Sequence, residues 1–373
     1  MNRRARRAAL IALAGAVAAC ALALWLAWTR PAGGRAARPP YAAVRVPVGA
    51  TFAEVCDTLR ARGLARHPLL LRAAARLSGR DRRLRAGVHM VPRGLSPRDL
   101  LGLLVEGRAA PVRVVLPEGL VAREIAARVA EAIGGDAADF LDAADERARA
   151  GVLARGLLPR ARAARLDALT AASAAAPHRW RWCEGYLAPD TYFLAPGLPA
   201  QAAARAIVDA GLDRADSLAR GLAPSLVELG LSPHDVVTLA SIVETETSRP
   251  RERPLVAAVY ANRLRREWRL EADPTVAYAL GKQGERLYWR DLDVDSPFNT
   301  YRVAGLPPAP ICNPGAAALR AAARPDPACD ALFFVADGQG GHVFSRTRAA
   351  HEAAVRLYRA RRAKEGGLVP PAR

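Results

Sequence analysis

Residues 232–247, SPHDVVTLASIVETET, predict a helix with two glutamates at its far end. Ser232 provides an N-cap, Pro233 suits the first helical position, and Asp235 adds an acid to the first turn. The apolar residues that follow recur at spacings of three and four, which places them on one helix face: Val236, Leu239, Ala240 and Val243. This pattern indicates a helix that packs one side against a core.

The two glutamates cannot share one cleft. Glu244 and Glu246 are two residues apart, which turns their side chains roughly 200° apart around the helix. Glu246 lies off the apolar stripe, near the helix end before Pro250, and is the better candidate to face a cleft. A desolvated carboxyl there can hold its proton near neutral pH, as a general acid requires. The other glutamate would then face solvent or a neighbouring arginine. The same spacing also fits two surface glutamates beside an arginine-rich run, neither of them in a cleft.

Upstream of this helix, a short pattern occurs three times, as PVGATFAEV (47–55), PRGLSPRDL (92–100) and PEGLVAREI (117–125). Each copy follows β-branched residues and precedes apolar residues at helical spacing. The pattern predicts a strand, a tight turn at Pro-x-Gly, and a helix that is capped at Thr51 or Ser96 in the first two copies. Such units resemble LysM modules, which bind N-acetylglucosamine-containing glycans, although Pro-x-Gly turns before helices are common in other folds too.

The N-terminus predicts a membrane anchor. Residues 8–28 contain no charged side chain, and these 21 residues match the length of about 20 that a helix needs to cross a bilayer. The arginines before the run favour a cytoplasmic N-terminus, with the bulk of the chain on the other side. Two alternatives stay open. One is a cleaved signal peptide, and the other is a lipoprotein signal, because residues 17–20 (VAAC) resemble a lipobox.

Composition narrows the class of protein. The chain has 373 residues, of which 51% are hydrophobic, and this excludes a wholly disordered chain. Its net charge of +19 comes almost entirely from arginine, as GC-rich coding bias would produce, and no basic patch with a reading element indicates nucleic-acid binding. Four cysteines lie outside the predicted membrane helix, and they show no CxxC spacing: Cys56, Cys183, Cys312 and Cys329. The sequence leaves open whether they form disulfides or are free and buried. The six histidines show no metal-ligand spacing, so no metal or cofactor is implied.

Four blocks between residues 183 and 358 carry the functional signal. The first is EGYLAPDTY (184–192), and the second is LASIVETET (239–247), which precedes NRL (262–264). The third is LEADPTV (270–276). The fourth combines FNTY (298–301), GLPP (305–308), NPG (313–315), FVADG (334–338) and GHVF (341–344).

In this order, the blocks resemble the endolytic murein transglycosylases of the MltG (YceG-like) family, over most of residues 8–358. The resemblance implies cleavage inside glycan strands, between N-acetylmuramic acid and N-acetylglucosamine, with a 1,6-anhydro end and no addition of water. It implies that Glu246 is the catalytic acid and base. It also implies a set of glycan-binding candidates: Asp190, Tyr192, Asn262, Asp273, Asn299, Tyr301 and His342. Capped turns or core packing explain several of these positions equally well.

The expected fold is α+β, with an N-terminal transmembrane helix, a LysM-like small domain and a mixed α/β catalytic domain. The predicted bounds are a cytoplasmic tail at 1–7, the membrane helix at 8–28, a linker at 29–40, the LysM-like domain at 41–111, the catalytic domain at 112–360 with an insertion at 134–180, and a disordered tail at 361–373. The expected partners are peptidoglycan strands, the bacterial inner membrane and, by resemblance, peptidoglycan synthases.

Two alternatives to the lytic reaction remain. A hydrolytic muramidase would need a second carboxylate, for which Asp273 and Glu244 are the candidates. A non-catalytic scaffold would use the repeats to bind glycan at the growth site, and intact Glu246 argues against it.

Overall fold

The computed structural model describes residues 3–29, 41–92, 95–106, 111–172 and 180–364. In chain order, the elements are α1 (Arg3–Thr29), β1 (Tyr41–Val46), α2 (Phe52–Ala61), α3 (Pro68–Leu77), β2 (Gly87–Pro92), α4 (Pro97–Glu106), β3 (Val112–Leu116), α5 (Ala122–Ile133), α6 (Ala137–Ala154), α7 (Arg160–Ala172), β4 (Asp190–Leu194), α8 (Ala200–Ala219), α9 (Pro224–Glu228), α10 (Pro233–Glu246), α11 (Arg253–Arg265), α12 (Asp273–Leu280), α13 (Ala316–Ala323), β5 (Phe333–Ala336), β6 (His342–Ser345) and α14 (Arg348–Lys364). Short 3₁₀ helices occur at Asp81–Arg83 and Trp289–Asp293. The fold is mixed α/β and mainly helical.

The chain divides into two units. The first comprises residues 1–114, 129–136 and 192–199, and the second comprises 115–128, 137–191 and 200–373. In the first unit, β1 pairs with β2 in antiparallel register from Tyr41↔Pro92 to Val46↔Gly87. Helices α2, α3 and α4 pack around this pair and bury a shared core that includes Val44, Leu59, Leu71, Val91 and Leu104.

The strands and helices that the pattern predicts are present at all three copies. Residues 93 and 94, in the second Pro-x-Gly turn, lie outside the described part. The Thr51 hydroxyl accepts from the Glu54 amide at 3.3 Å, and the Glu54 carboxylate accepts from the Thr51 amide at 2.9 Å. The Ser96 hydroxyl accepts from the Asp99 amide at 3.1 Å in the second copy. The Thr51 and Ser96 hydroxyls thus each satisfy a free amide in the first turn of their helix, and in the first copy the bond is reciprocal, which favours the observed helix starts.

Helix α10 forms the centre of the second unit. It contacts α8, α11, α12 and α13. Ser232 and Asp235 cap its start as predicted. The prediction of a single buried face was too narrow, because every residue from 234 to 243 is buried. Its hydroxyl side chains tolerate this burial because they bond to the helix itself: Thr238 donates to the carbonyl of His234, and Ser241 donates to the carbonyl of Thr238.

Several predictions concern the chain ends and the insertion. Residues 134–180, predicted as an insertion, contain α6 and α7. Residues 361–364, predicted as part of a disordered tail, belong instead to α14, and residues 365–373 lie outside the described part. Thr29 ends α1, and the rest of the predicted linker, residues 30–40, also lies outside it.

Side chains of α1 are described from Ala16 onward. Among the residues that the structure describes, no helix combines the length and apolarity that crossing a membrane requires. The five cysteines are all free thiols, and Cys56, Cys183 and Cys312 are buried. Of the two possibilities left open for the cysteines, the structure therefore has unpaired thiols.

Candidate active site

Glu246 is the last residue of α10, and its side chain is half-buried. The hydroxyl of Tyr260, on α11, donates to Glu246 Oε1 at 2.6 Å. One carboxylate oxygen is thereby fixed by a neighbouring helix. This short bond gives the carboxyl a defined orientation, which a group that transfers a proton to a bound molecule needs.

The surroundings of Glu246 favour its protonated form. Burial raises the pKa of Glu246 to about 7, and the negative charge of Asp273 adds to this rise. The Tyr260 hydroxyl and the charge of Arg263 act in the opposite direction. The carboxyl also stands at the C-terminus of a helix, where the helix dipole disfavours negative charge. Glu246 can therefore give or take a proton near neutral pH.

The Asn262–Arg263 pair on α11 holds the loops around this carboxyl. Arg263 is 8% exposed and donates to the carbonyls of Leu270 at 2.6 Å and Leu332 at 2.7 Å. The Asn262 amide donates to the carbonyls of Cys329 and Ala331, both at 3.0 Å. Both amide hydrogens of Asn262, a predicted glycan-binding residue, are therefore donated to backbone carbonyls that precede β5.

Asp273 and Tyr301 form a second predicted pair. The Tyr301 hydroxyl donates to Asp273 Oδ1 at 2.5 Å, at the start of α12. Asp273 is exposed and close enough for its charge to act on Glu246. The structure therefore brings Asp273 and Tyr301 together with the candidate acid.

Asn299 occupies a different position from the one expected of a glycan ligand. Its side chain is fully buried and donates to the carbonyls of Leu292 and Val294, both at 2.8 Å. Its Oδ1 accepts from the Tyr301 amide at 3.0 Å. Asn299 shapes the loop that carries Tyr301 and does not reach the surface.

His342 belongs to a polar cluster at the end of α10. Its Nδ1 donates to Glu252 Oε2 at 2.7 Å, and the Thr247 hydroxyl donates to the same oxygen at 3.2 Å. Burial would raise the pKa of Glu252, but the bonds from His342 and Thr247 outweigh it and hold this pKa below its ordinary value. Phe334 lies between His342 and Tyr260, with edge-on ring contacts at 5.3 and 5.8 Å. The β5–β6 hairpin is thereby fixed against the two helices that carry the acid and its partner.

Glu244, as its spacing predicted, has different partners from Glu246. It accepts from Arg253 Nη2 at 2.6 Å and from the Gly315 amide at 2.8 Å. Both side chains of the ion pair are nearly buried, with exposures of 9% for Arg253 and 6% for Glu244. A Cβ at Gly315 would overlap the carboxyl of Glu118, so a larger residue at position 315 would require the Glu118 side chain to move.

The remaining two candidates belong to β4. Asp190 is exposed and accepts from Arg214 of α8 at 3.0 Å. Tyr192 is half-buried and belongs to the first unit. The contacts of Asp190 are with α8 and not with the cluster around Glu246.

Sequence reasoning missed two residues. Tyr260 lay between the recognised blocks, and a phenol within bonding range of Glu246 follows only from the packing of α11 on α10. Glu184 opens the first block, is 2% exposed, and accepts from Ala122, Asn313 and Tyr278. Burial raises the pKa of Glu184 to about 8. Its place as the first residue of the EGYLAPDTY block (184–192) was the sequence feature that could have indicated its role.

The geometry places a carboxyl with a raised pKa, Glu246, at the end of α10 beside α11 and α12. The YceG-like family model matches residues 44–357, and the chain belongs to the YceG-like family.

Similar proteins agree with this assignment. An endolytic murein transglycosylase of Bacillus subtilis is 37% identical over 175 residues, which cover 47% of this chain and 48% of that protein. One from Streptococcus pneumoniae is 30% identical over 318 residues, which cover 82% of this chain and 56% of that protein. The chain thus spans about half the length of the curated relatives it matches. The crystal structure of a yceG-like protein of Listeria monocytogenes is 27% identical, has a TM-score of 0.55, and is matched over 84% of this chain and 98% of that chain.

Proposed function

We propose that this chain is an endolytic lytic transglycosylase of peptidoglycan. It would cut the bond between N-acetylmuramic acid and N-acetylglucosamine within a strand and leave a 1,6-anhydro end. The observation that carries the proposal is Glu246, a half-buried carboxyl with a pKa of about 7 at the end of α10. The printed names of the relatives from B. subtilis and S. pneumoniae support the same reaction.

One carboxyl is sufficient for this chemistry. Protonated Glu246 gives its proton to the glycosidic oxygen, and the bond from that oxygen to C1 of the muramic residue breaks. The resulting carboxylate then takes the proton from the C6 hydroxyl of the same muramic residue, and the C6 oxygen bonds to C1. The proton returns to Glu246, no water is consumed, and no second catalytic carboxylate is needed.

The neighbours of Glu246 have matching roles in this proposal. Tyr260 holds Oε1, which leaves Oε2 to face the glycosidic oxygen. Asp273 and Tyr301 provide polar and aromatic surface for sugar hydroxyls and ring faces. His342 and Asn262 act through the loops they hold, and Asp190 and Tyr192 remain proposed contacts of a longer strand.

A second candidate reaction is hydrolysis, and Asp273 favours it. Asp273 is a carboxylate whose charge already acts on Glu246, as the partner of a general acid does in a hydrolytic glycosidase. Glu244 fits this role less well because Arg253 and Gly315 occupy both its oxygens. The test is mass spectrometry of purified glycan strands treated with the full chain. Anhydro ends support the lytic reaction, whereas reducing ends heavier by one water support hydrolysis, and intact strands contradict both.

The first prediction concerns pH. Because Glu246 must be protonated to act as the acid, we expect kcat/KM to fall as the pH rises through about 7, where the carboxyl of the free enzyme ionises. A pH series on soluble strands measures this decrease. A profile that stays flat from pH 6 to pH 9 would exclude Glu246 as the group whose protonation sets the rate.

The second prediction concerns Tyr260. The Tyr260 hydroxyl lowers the pKa of Glu246, so Tyr260→Phe removes a bond that favours the carboxylate. We expect the high-pH limb of the profile to move upward by about 0.5–1 pH unit. The matched control is Tyr288→Phe, at an exposed tyrosine, which should leave the profile unchanged. A downward movement in Tyr260→Phe would contradict the assigned role.

The proposal also covers glycan binding by the small domain of the first unit. We infer that residues 41–111 form a LysM-like glycan-binding domain, and the β1–α2–α3–β2 order with an antiparallel strand pair supports this. Sedimentation of the full chain with purified peptidoglycan, in competition with chitin oligosaccharides, tests this binding.

We also propose that the chain is anchored in the bacterial inner membrane with its catalytic unit outside the cytoplasm. The 21 uncharged residues at 8–28, the preceding arginines and the location of the substrate support this. Protease digestion of spheroplasts, read with an antibody to the C-terminus, tests the orientation. Association with peptidoglycan synthases, and a role in ending strand elongation, rest on the family resemblance and are tested by co-purification and by strand-length analysis.

A further inference from the structure

Residues 60–85 of the first unit combine dense positive charge with exposed leucines. Residues 60–85 hold nine arginines and a single acidic residue, Asp81. Coding bias explains the frequency of arginine in the chain, but it does not explain why residues 60–85 contain so few acids. The exposed members that matter here are Arg66, Arg76, Arg80 and Arg83.

Helix α3 presents an apolar stripe in the middle of this charge. Leu69 is 77% exposed, and Leu77 is 90% exposed. With Ala73, also exposed, they lie at four-residue intervals, which places all three on one face of the helix. The opposite side of α3 is buried in the domain core through Leu71 and Ala75. We call the stripe and its four flanking arginines the α3 face.

The same unit carries a second exposed apolar surface. In α1, Val17 and Trp25 are each 60% exposed, and Leu22 and Leu24 are similar. Helix α1 contacts α4, and Trp28 at its end packs against the core of the first unit. An apolar helix and a cationic, leucine-bearing helix are thus attached to one small domain.

We propose that the α3 face binds the anionic headgroups of a lipid bilayer, with Leu69 and Leu77 inserted at the headgroup boundary. Arginines that surround exposed leucines match an occupant with negative charge at its surface and hydrocarbon below. A glycan strand fits less well, because it offers no apolar layer for leucine. This binding holds the first unit against the membrane and is independent of the cleavage reaction.

The test compares two variants of the full chain with equal changes in net charge. Arg66→Gln/Arg76→Gln/Arg80→Gln/Arg83→Gln neutralises the α3 face. Arg128→Gln/Arg165→Gln/Arg205→Gln/Arg356→Gln neutralises four exposed arginines of the second unit. Each protein is floated with vesicles of phosphatidylcholine alone or with 30% phosphatidylglycerol, at low and high salt. Binding through α1 contributes equally to both vesicle types. The ratio of protein bound to anionic vesicles over protein bound to neutral vesicles therefore measures the contribution of the α3 face.

We expect the wild type and the control to prefer anionic vesicles by about tenfold or more, and high salt to reduce this preference. The α3-face variant should lose the preference and keep its binding to neutral vesicles. Leu69→Gln/Leu77→Gln should weaken binding to anionic vesicles, since it removes the inserted side chains. All substituted residues are exposed, so the thermal unfolding curves should coincide.

Three outcomes would overturn the proposal. The α3-face variant could keep its preference, or the control could lose it equally, which would mean that net charge alone is responsible. The variant could also lose sedimentation with purified peptidoglycan while its vesicle binding stays unchanged, which would assign the face to the glycan. Cleavage of soluble strands, measured in parallel, keeps a failure of the proposed enzymatic function distinct from these results.

Discussion

Replacing Glu246 with Gln is expected to reduce the formation of anhydro ends by about 10³-fold, within the range of roughly 10²–10⁴ that one general acid/base contributes. Gln has nearly the shape of Glu, and its Oε1 can still accept from Tyr260, so the fold should be retained. The loss would then be chemical, because an amide cannot give its proton to the glycosidic oxygen. The measurement is the initial rate of product release by mass spectrometry.

Glu285→Gln provides the matched control for this experiment, because Glu285 is an exposed glutamate of the same unit. It should cleave like the wild type. If Glu246→Gln kept more than about a tenth of the wild-type rate, another group would have to supply the proton, and Glu246 would lose its assigned role.

The second large effect concerns stability. Arg253→Ala should lower the free energy of unfolding by about 3 kcal/mol, because it leaves Glu244 buried without its charged partner. Burial already raises the pKa of Glu244 despite the bonds from Gly315 and Arg253. In the variant, the unpaired carboxyl takes up a proton more readily. The loss of stability should therefore be larger at pH 8 than at pH 5, where a protonated carboxyl carries no charge to desolvate.

Chemical denaturation at the two pH values measures this effect. Arg251→Ala serves as control, since Arg251 is exposed two residues away and its removal should change stability by less than about 0.5 kcal/mol. Equal losses in the two variants would show that the Glu244–Arg253 ion pair is not a special contributor to the fold.

The local structure of this chain could be predicted because short-range rules determine it. The start of α10 follows from Ser232, Pro233 and Asp235, and the separation of Glu244 from Glu246 follows from helix geometry alone. Recurrence of Pro-x-Gly before a capping residue predicted the starts of α2 and α4 in the same way.

The contacts of the site could not be predicted because they join distant residues. Tyr260 reaches Glu246 only through helix packing, and no pattern in the chain marks that contact. The amide side chains were ambiguous for a chemical reason. Asn262 and Asn299 have groups that suit a sugar or a backbone carbonyl equally, and only their placement shows that the backbone uses them.

The candidate acid, its phenol partner and the nearby aspartate come from the end of α10, the middle of α11 and the start of α12. None of these segments holds the others in place by itself, so the arrangement exists only in the completed tertiary structure. A partly folded chain would have the right residues and no cutting activity. The proposed cleavage of peptidoglycan therefore requires complete folding of this unit. Activity and tertiary structure should therefore disappear together when denaturant is added.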